Sequence, residues 1–454
     1  MPIITVKQAH DIHLAGDLKT AEAMYHELLN DYPDEWSILF FLGGLYLQQN
    51  KQGIAIQLFN RALEQKPNLM EAWNNLGVAY RQRFMNDKAG PCFMRALAIN
   101  ENADSYNNMG TIHVNEGSPA DGERWLRKAV ELQPDFVQAH WNLALTLLEQ
   151  GRYEEGFKEY AWGLKSKDRL VKHYDCKWWR GQTDGKVVVY GEQGIGDEIM
   201  FFSMIPDLIR LVGKENVVLD CHPRLANLFE HSFGVKVYPT RKEVQEWHWE
   251  NPVDYKVAAG NLGSFFRRGV EDFPGTPYLS CDPDGIREAH ELLATLPARR
   301  PNIGISWRGG KHKTKTASRS MSLQTILKAF EGVDANLISL QYDEGAAEDC
   351  KGTPVHHWPD HVAAKEYERT AALVSALDLV VTVNTSAVHL CGALGKECIT
   401  LTPKRKAWRY YSPDGSTMPW YRSVTIYEQK TDGDWADVLG DVNKELRARQ
   451  AARA

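Results

Sequence analysis

EAWNNLGVAY, residues 71–80, returns 33 positions later as DSYNNMGTIH, residues 104–113. The small residues inside them, Gly77 and Gly110, belong to a series with Ala9, Gly43 and Ala144, at steps of 34, 34, 33 and 34 residues. Two further series run in phase: Ala21, Ala55, Ala89, Gly122 and Gly156, and the larger Tyr25, Phe59, Phe93, Leu126 and Tyr160. A fixed period of this length marks a solenoid. Each unit reads as two short amphipathic helices, the small residues letting them approach closely and the large ones filling the gap between hairpins. Pro33, Pro67 and Pro134 close three units, and Glu101 stands where the third would have its proline. About five hairpins are expected over residues 1–168, stacked into a superhelix with a concave groove. The first helix of each hairpin offers that groove Asn74, Asn75, Asn107, Asn108 and Asn142. An asparagine amide both donates and accepts, so such a row suits the backbone of an extended peptide of any sequence. It suits a solvated helix face equally well.

The whole chain, 454 residues, is too long for one ordinary core. Its net charge of -6 argues against a general nucleic-acid or membrane-surface binder. The amino-terminal stretch has no basic start followed by an apolar core, and nowhere do eighteen apolar residues run together, so neither secretion nor a membrane span is expected. Seven scattered cysteines, with no C-x-x-C pair, read as reduced packing residues of a cytoplasmic protein.

The repeat period ends near residue 168. From Lys186 onward short β-rich runs alternate with helical ones, which implies parallel sheets covered on both faces. Expected strands are Lys186–Tyr190, Val217–Cys221, Val235–Tyr238 and Val253–Val257, then 301–307, Asn336–Leu340, Val355–Trp358, Asp378–Val383 and Glu397–Thr402. Two doubly wound halves of this kind place a cleft at the carboxyl ends of their strands. The expected domains are 1–168, 178–285 and 286–430, with a carboxyl-terminal helix over 431–454.

Three segments can carry chemistry. In VVVYGEQGIGDEIMFFSMIPDLI (187–209) a strand enters a turn with Gly191, Gly194 and Gly196, and a helix starts near Asp197. Glycines leave backbone N–H groups bare at the cleft. The order G-x-x-G-x-G matches neither the dinucleotide fingerprint nor a P-loop. Asp197 is either a helix cap or a base, and Glu192, Glu198 and His222 are further bases. In ISWRGGKHKTKTASRSMSL (305–323), Arg308, Lys311, Lys313, Lys315 and Arg319 follow a strand with no acidic residue among them. Such a loop at a strand's carboxyl end suits a diphosphate leaving group. In SALDLVVTVNTSAVHLCGALGKECITLTP (375–403) a buried strand runs through Asn384, Thr385 and Ser386 into a helix bearing His389. Thr385 or Ser386 can cap that helix and aim its amides at a phosphate. His356, His357 and His361 lie close in sequence, but nothing adjacent completes a ligand set, so no metal is assigned.

The repeats resemble the tetratricopeptide repeat. GEQGIGDEIMFFSMIP resembles the opening loop of bacterial tetratricopeptide glycosyltransferases, themselves similar to heptosyltransferases. NTSAVHLCGALG resembles those enzymes' D-T-x-x-x-H-L-x-x-A-L-G donor element, with Asn384 where aspartate is usual. Trp307, Gly309, Arg319 and Ser320 also match, and Trp408 and Arg409 match a D-W-R-W element in which Ala407 replaces the aspartate. The resemblance implies two Rossmann-like domains of the GT-B type and a metal-independent inverting transfer from a nucleotide sugar, with no cofactor. It implies Asp197 as the base, with Glu192, Gln193, Gly194 and Gly196 in the acceptor-side loop. It implies donor contacts from Arg308, Lys311, Arg319, Ser320, Gln341, Asn384, Thr385, Ser386 and His389. A repeat groove fused to a transferase, as in O-linked N-acetylglucosamine transferases and flagellin-modifying enzymes, implies a protein acceptor. The heptosyltransferase likeness implies a glycan such as lipopolysaccharide instead. Asn384 and Ala407 keep open a third possibility, a non-catalytic scaffold.

Overall fold

A computed structural model describes residues 5–166, 168–309, 319–362 and 366–453. These form two compact units, dividing between Thr146 and Leu147.

The first unit is a run of antiparallel helix pairs: Val6–Leu14 with Leu18–Asp31, Trp36–Gln48 with Gln52–Gln65, Met70–Gln82 with Asn86–Ile99, and Ala103–Asn115 with Pro119–Leu132. Thr5, Asp17 and Asn102 cap three of these helices by accepting from backbone amides. The glycine series has a steric cause. A methyl group at Gly43 would lie 2.8 Å from the Phe59 ring, at Gly77 2.6 Å from Phe93, and at Gly110 2.6 Å from Leu126. Each large residue comes 16 positions after its glycine, one helix and one turn later. The small and large series are thus the two halves of one repeated contact.

The second unit holds two sheets. The first contains β1 (Lys177–Trp178), β2 (Val187–Tyr190), β3 (Val217–Cys221), β4 (Lys236–Pro239) and β5 (Tyr255–Ala258), in the order β1-β5-β2-β3-β4, all parallel. The second contains β6 (Asn302–Ser306), β7 (Asn336–Ser339), β8 (Val355–His356), β9 (Leu379–Val383), β10 (Cys398–Thr402), β11 (Thr417–Met418) and β12 (Tyr421–Glu428). Its order is β11-β12-β10-β9-β6-β7-β8, parallel except for the β11–β12 pair. From β2 the chain steps outward through β3 and β4 and then returns to the other side of β2 as β5. From β6 it does the same through β7 and β8 before returning as β9. Each sheet therefore has a switch point where the winding reverses, and there the strand ends leave a crevice. Strands β2, β3 and β9 are wholly buried, which matches their unbroken apolar runs.

The helix Tyr153–Tyr160 continues the repeat period but lies in the second unit. Its Phe157 ring fills the space beside Gly263, and Tyr160 lies 5.9 Å from Trp408. The division at 146 instead of near 168 follows from that packing. The chain closes on the helix Ala436–Arg453, whose Val438, Leu439, Val442 and Leu446 enter the core of the second sheet.

Candidate active site

At the switch point of the first sheet the turn after β2 carries Glu192, whose side chain is 1 % exposed. One of its oxygens accepts from Arg169 at 2.7 Å and from the Gly260 amide at 3.0 Å; the other accepts from the Ala259 amide at 3.1 Å. Glu192 ties the ends of β2 and β5 together, and a carboxylate so fully engaged cannot act as the base considered above. Glu198 is ruled out in a similar way: it is buried, pairs with Arg241 at 2.9 Å and accepts the His222 amide at 2.7 Å. Burial pushes its carboxyl up to about 7, against the pull of Arg241. His222 accepts the Arg224 amide through Nδ1.

The following helix, Ile195–Phe202, starts two residues earlier than expected, with Gly194 as its cap residue. Asp197 therefore sits inside the first turn and caps nothing. Its Oδ1 accepts from Nε of Arg409, and Nη2 of Arg409 donates to Gln193 at 3.2 Å. Gln193 in turn donates to the Tyr160 hydroxyl at 2.8 Å. The Asp197 and Arg409 side chains are 21 % and 23 % exposed, so the pair is open to solvent.

At the switch point of the second sheet Gln341 is buried beneath the loop after β6. Its Oε1 accepts from the Ser306 hydroxyl and from the amides of Trp307 and Arg308, and its Nε2 donates to the Arg308 carbonyl and to Asp343. Gln341 is thus a brace for that loop. Arg308 is engaged within the protein. Its guanidinium pairs with Asp343 at 2.5 Å and with Asp349, carboxylates far away in sequence that neutralise it. Ser320 accepts the Gly309 amide at 3.2 Å and so pins the far end of the basic loop. Lys311, Lys313 and Lys315 lie outside the described residues. Arg319 is described, and its positive charge is felt at the Tyr410 phenol, where it opposes the upward push of burial.

After β9, Thr385 caps the helix Ser386–Leu394 by accepting the Ala387 amide at 3.1 Å. Ser386 hydrogen-bonds the Tyr367 hydroxyl at 2.9 Å. Asn384 is buried and accepts from Thr400 at 3.2 Å, so its side chain faces β10 and not a ligand. A charge there would be costly to bury, which accounts for an amide at this position. His389 is also buried. Its Nδ1 lies 3.3 Å from the Tyr421 hydroxyl, and its ring is 5.8 Å from those of Tyr410 and Tyr421. Burial pushes this imidazole down to about 4, against the attraction of Asp197 and with the repulsion of Arg409, so it is neutral at pH 7.

The two switch points face one another. A methyl group at Gly196 would lie 3.1 Å from the His389 ring and 3.3 Å from the Ser386 Cα. Tyr278 adds a hydrogen bond to the Ile199 carbonyl at 2.6 Å. Beside this junction lies a narrow crevice of about 10 Å³, lined by Ser306, Tyr342, Tyr367, Thr385, Ser386 and Ala387, among others. Asp197, Arg409, His389 and the amino end of the Ser386 helix thus come together, with the charge of Arg319 close by. Reading the sequence had singled out Arg409 but not its pairing with Asp197, 212 positions away. It had passed over Arg224, Tyr367 and Tyr421, none of which lies in a glycine-rich or basic run.

Family models of the TPR repeat match residues 43–82, and of the tetratricopeptide repeat residues 71–102 and 107–161. The helical array is built of tetratricopeptide repeats. The chain is 25 % identical to protein FlbA of Caulobacter vibrioides over 498 aligned residues, which cover 95 % of this chain and 82 % of FlbA. It is 25 % identical over 196 residues to human protein O-mannosyl-transferase TMTC3, covering 35 % of this chain and 21 % of that one. Among solved structures, that of MamA is similar, with 22 % identity and a TM-score of 0.32 over 35 % of this chain and 94 % of that one. No helix among the described residues is long and apolar enough to cross a membrane.

The asparagines of the tetratricopeptide array bond to one another. Asn108 donates to Asn74 at 3.3 Å, and Asn142 donates to Asn107 at 2.8 Å. Asn74 also accepts from Ser105 at 3.3 Å. Asn107 and Asn108 are buried, and Asn75 is half-buried. Part of the hydrogen-bonding capacity expected to face a peptide is spent joining successive hairpins.

Proposed function

We propose that this chain is an inverting, metal-independent glycosyltransferase that moves a sugar from a nucleotide-sugar donor to a hydroxyl, on a protein held by the tetratricopeptide array. The observation that carries this reading is the meeting of the two switch points, where the carboxylate of Asp197 stands across from His389 and the capped end of the Ser386 helix. The acceptor oxygen attacks the anomeric carbon and loses its proton to Asp197. The bond from that carbon to the nucleoside diphosphate breaks, and the diphosphate leaves with the electron pair. Arg409 engages Oδ1 of Asp197, which orients the carboxylate and leaves Oδ2 to take the proton. The helix amides and Arg319 meet the charge that builds on the leaving group. His389, neutral in its buried place, supplies a hydrogen bond without adding charge.

A protein acceptor is supported by the peptide-binding habit of tetratricopeptide repeats and by the name of TMTC3, a protein O-mannosyl-transferase. The similarity to TMTC3 runs mostly through the repeats, so the chemistry rests on the α/β unit and its crevice. The test is consumption of nucleotide sugars from a broad panel in the presence of lysate acceptors. Wild type is expected to turn over at least one donor; Asp197→Asn is expected to abolish turnover while retaining nucleoside diphosphate binding. If wild type consumes no donor, a scaffold that only senses nucleotides takes the place of the enzyme.

A further inference from the structure

The amino-terminal ends of β2, β3 and β4 lie a strand's length, roughly 15 Å, from the crevice at their carboxyl ends. There the first sheet carries a cavity of about 480 Å³. The connection from β4 to β5 crosses this face with one short helix, Trp247–Glu250, and residues of both the strands and the connection line the gap. One wall is firmly held. Trp247 stacks on Tyr238, with ring centres 3.8 Å apart and planes 5° from parallel, and its N–H donates to Asp220 at 3.4 Å. Asp220 is wholly buried and accepts from Lys172 at 2.5 Å and from the Tyr174 hydroxyl at 2.7 Å. Val218, Val235 and Val253 add apolar surface. The charge comes from three separate places in the chain: Lys186 just before β2, Lys214 in the turn before β3, and Lys236 at the start of β4. All three are exposed, and no ion pair with a described residue engages them. Glu215 is the one carboxylate of the lining; Asp254, close by, turns its own to the Lys186 amide at 2.7 Å.

Lysines on a flat surface are simply hydrated. Three of them around one hollow repel each other, and a bound anion relieves that repulsion. A dianion matches more of their charge than a single carboxylate does, and lysine binds phosphate as a point charge. The volume is many times the roughly 30 Å³ that one water takes up in the liquid, so inorganic phosphate alone leaves most of it unfilled. The valines and the Tyr238–Trp247 wall suit an organic ring, as ligand cavities combine apolar walls with a few placed charges. We propose that this cavity binds a small phosphomonoester carried on a ring, a sugar phosphate or a nucleoside monophosphate, with Lys186, Lys214 and Lys236 meeting the phosphate. The site stands apart from the crevice, so its failure leaves the glycosyl-transfer reading untouched.

The test is calorimetric titration of the full-length protein, in low salt without phosphate buffer. The probes are glucose 6-phosphate, AMP and UMP, inorganic phosphate, and the uncharged glucose, adenosine and uridine. At least one ring-bearing ester is expected to bind at least tenfold more tightly than inorganic phosphate and than its own uncharged counterpart. The ester that binds best separates a sugar phosphate from a nucleotide. In the triple variant Lys186→Gln, Lys214→Gln, Lys236→Gln that affinity should fall at least tenfold, with circular dichroism checking the fold. In Asp197→Asn it should stay as in wild type. If no ester binds more tightly than inorganic phosphate, the site is overturned and the three lysines are only solvated. An affinity within twofold of wild type in the triple variant would also overturn it, since the ester would then sit elsewhere. A tenfold loss in Asp197→Asn would do the same by placing the ester in the crevice.

Discussion

His389 shows how one buried ring couples the crevice to pH. Its imidazole is held near 4, whereas an unfolded histidine titrates near about 6.5. Between those values the unfolded chain binds a proton that the folded chain refuses, so stability falls as pH drops from about 6.5 towards 4 and is unaffected by this group above that window. His389→Gln should remove on the order of 3 kcal/mol of that acid dependence, seen by comparing urea denaturation at pH 7 and pH 4.5. Parallel losses in wild type and variant would mean that the ring accepts its proton without unfolding. At this scale the sequence was an uneven guide. Thr385 could be located because its cap on the Ala387 amide depends on near neighbours in the chain. Arg308 could not be interpreted, because the acids that neutralise it stand 35 and 41 positions away. For Asn384, whether a side chain after a strand faces the cleft or the next strand is decided by β10, which local spacing does not reveal.

Adjacent glycines in the helix Trp36–Gln48 separate packing from propensity. A methyl group at Gly43 meets Phe59, while one at Gly44 meets nothing within 4 Å. Gly43→Ala should cost about 1–3 kcal/mol by overpacking. Gly44→Ala should gain up to about 1 kcal/mol from helix propensity alone. Urea unfolding followed by circular dichroism would compare them, and equal effects would dismiss the glycine–aromatic contact as the cause of the repeat spacing. Most elements were legible because they carry a period or an unbroken apolar run; Val217–Cys221 was placed to the residue. Strands β1 and β11, at two residues each, are too short to show any period. The eight-residue β12 was missed because it follows MPW directly and mixes buried and exposed positions.

For the whole molecule, where the repeats stop matters more than how many there are. Removing residues 1–146 should leave a folded remainder that binds nucleoside diphosphate but no longer modifies a protein acceptor. Removing 1–168 should leave an unstable one, since it strips Tyr153, Phe157 and Tyr160 from Phe273, Gly263 and Trp408. Size-exclusion chromatography and diphosphate titration of both truncations would decide, and a well-behaved 169–454 fragment would contradict the packing argument. The period in the sequence runs straight through this boundary, because Tyr153–Tyr160 keeps the repeat pattern while serving another core. A last consequence belongs to the bond between Asp197 and Arg409, which sit on opposite walls of the crevice. Any widening of the cleft would break that bond, so one ion pair helps to hold the two walls together. Being partly exposed, the pair loosens in concentrated salt, and ionic strength thereby becomes a handle on how firmly the crevice is closed.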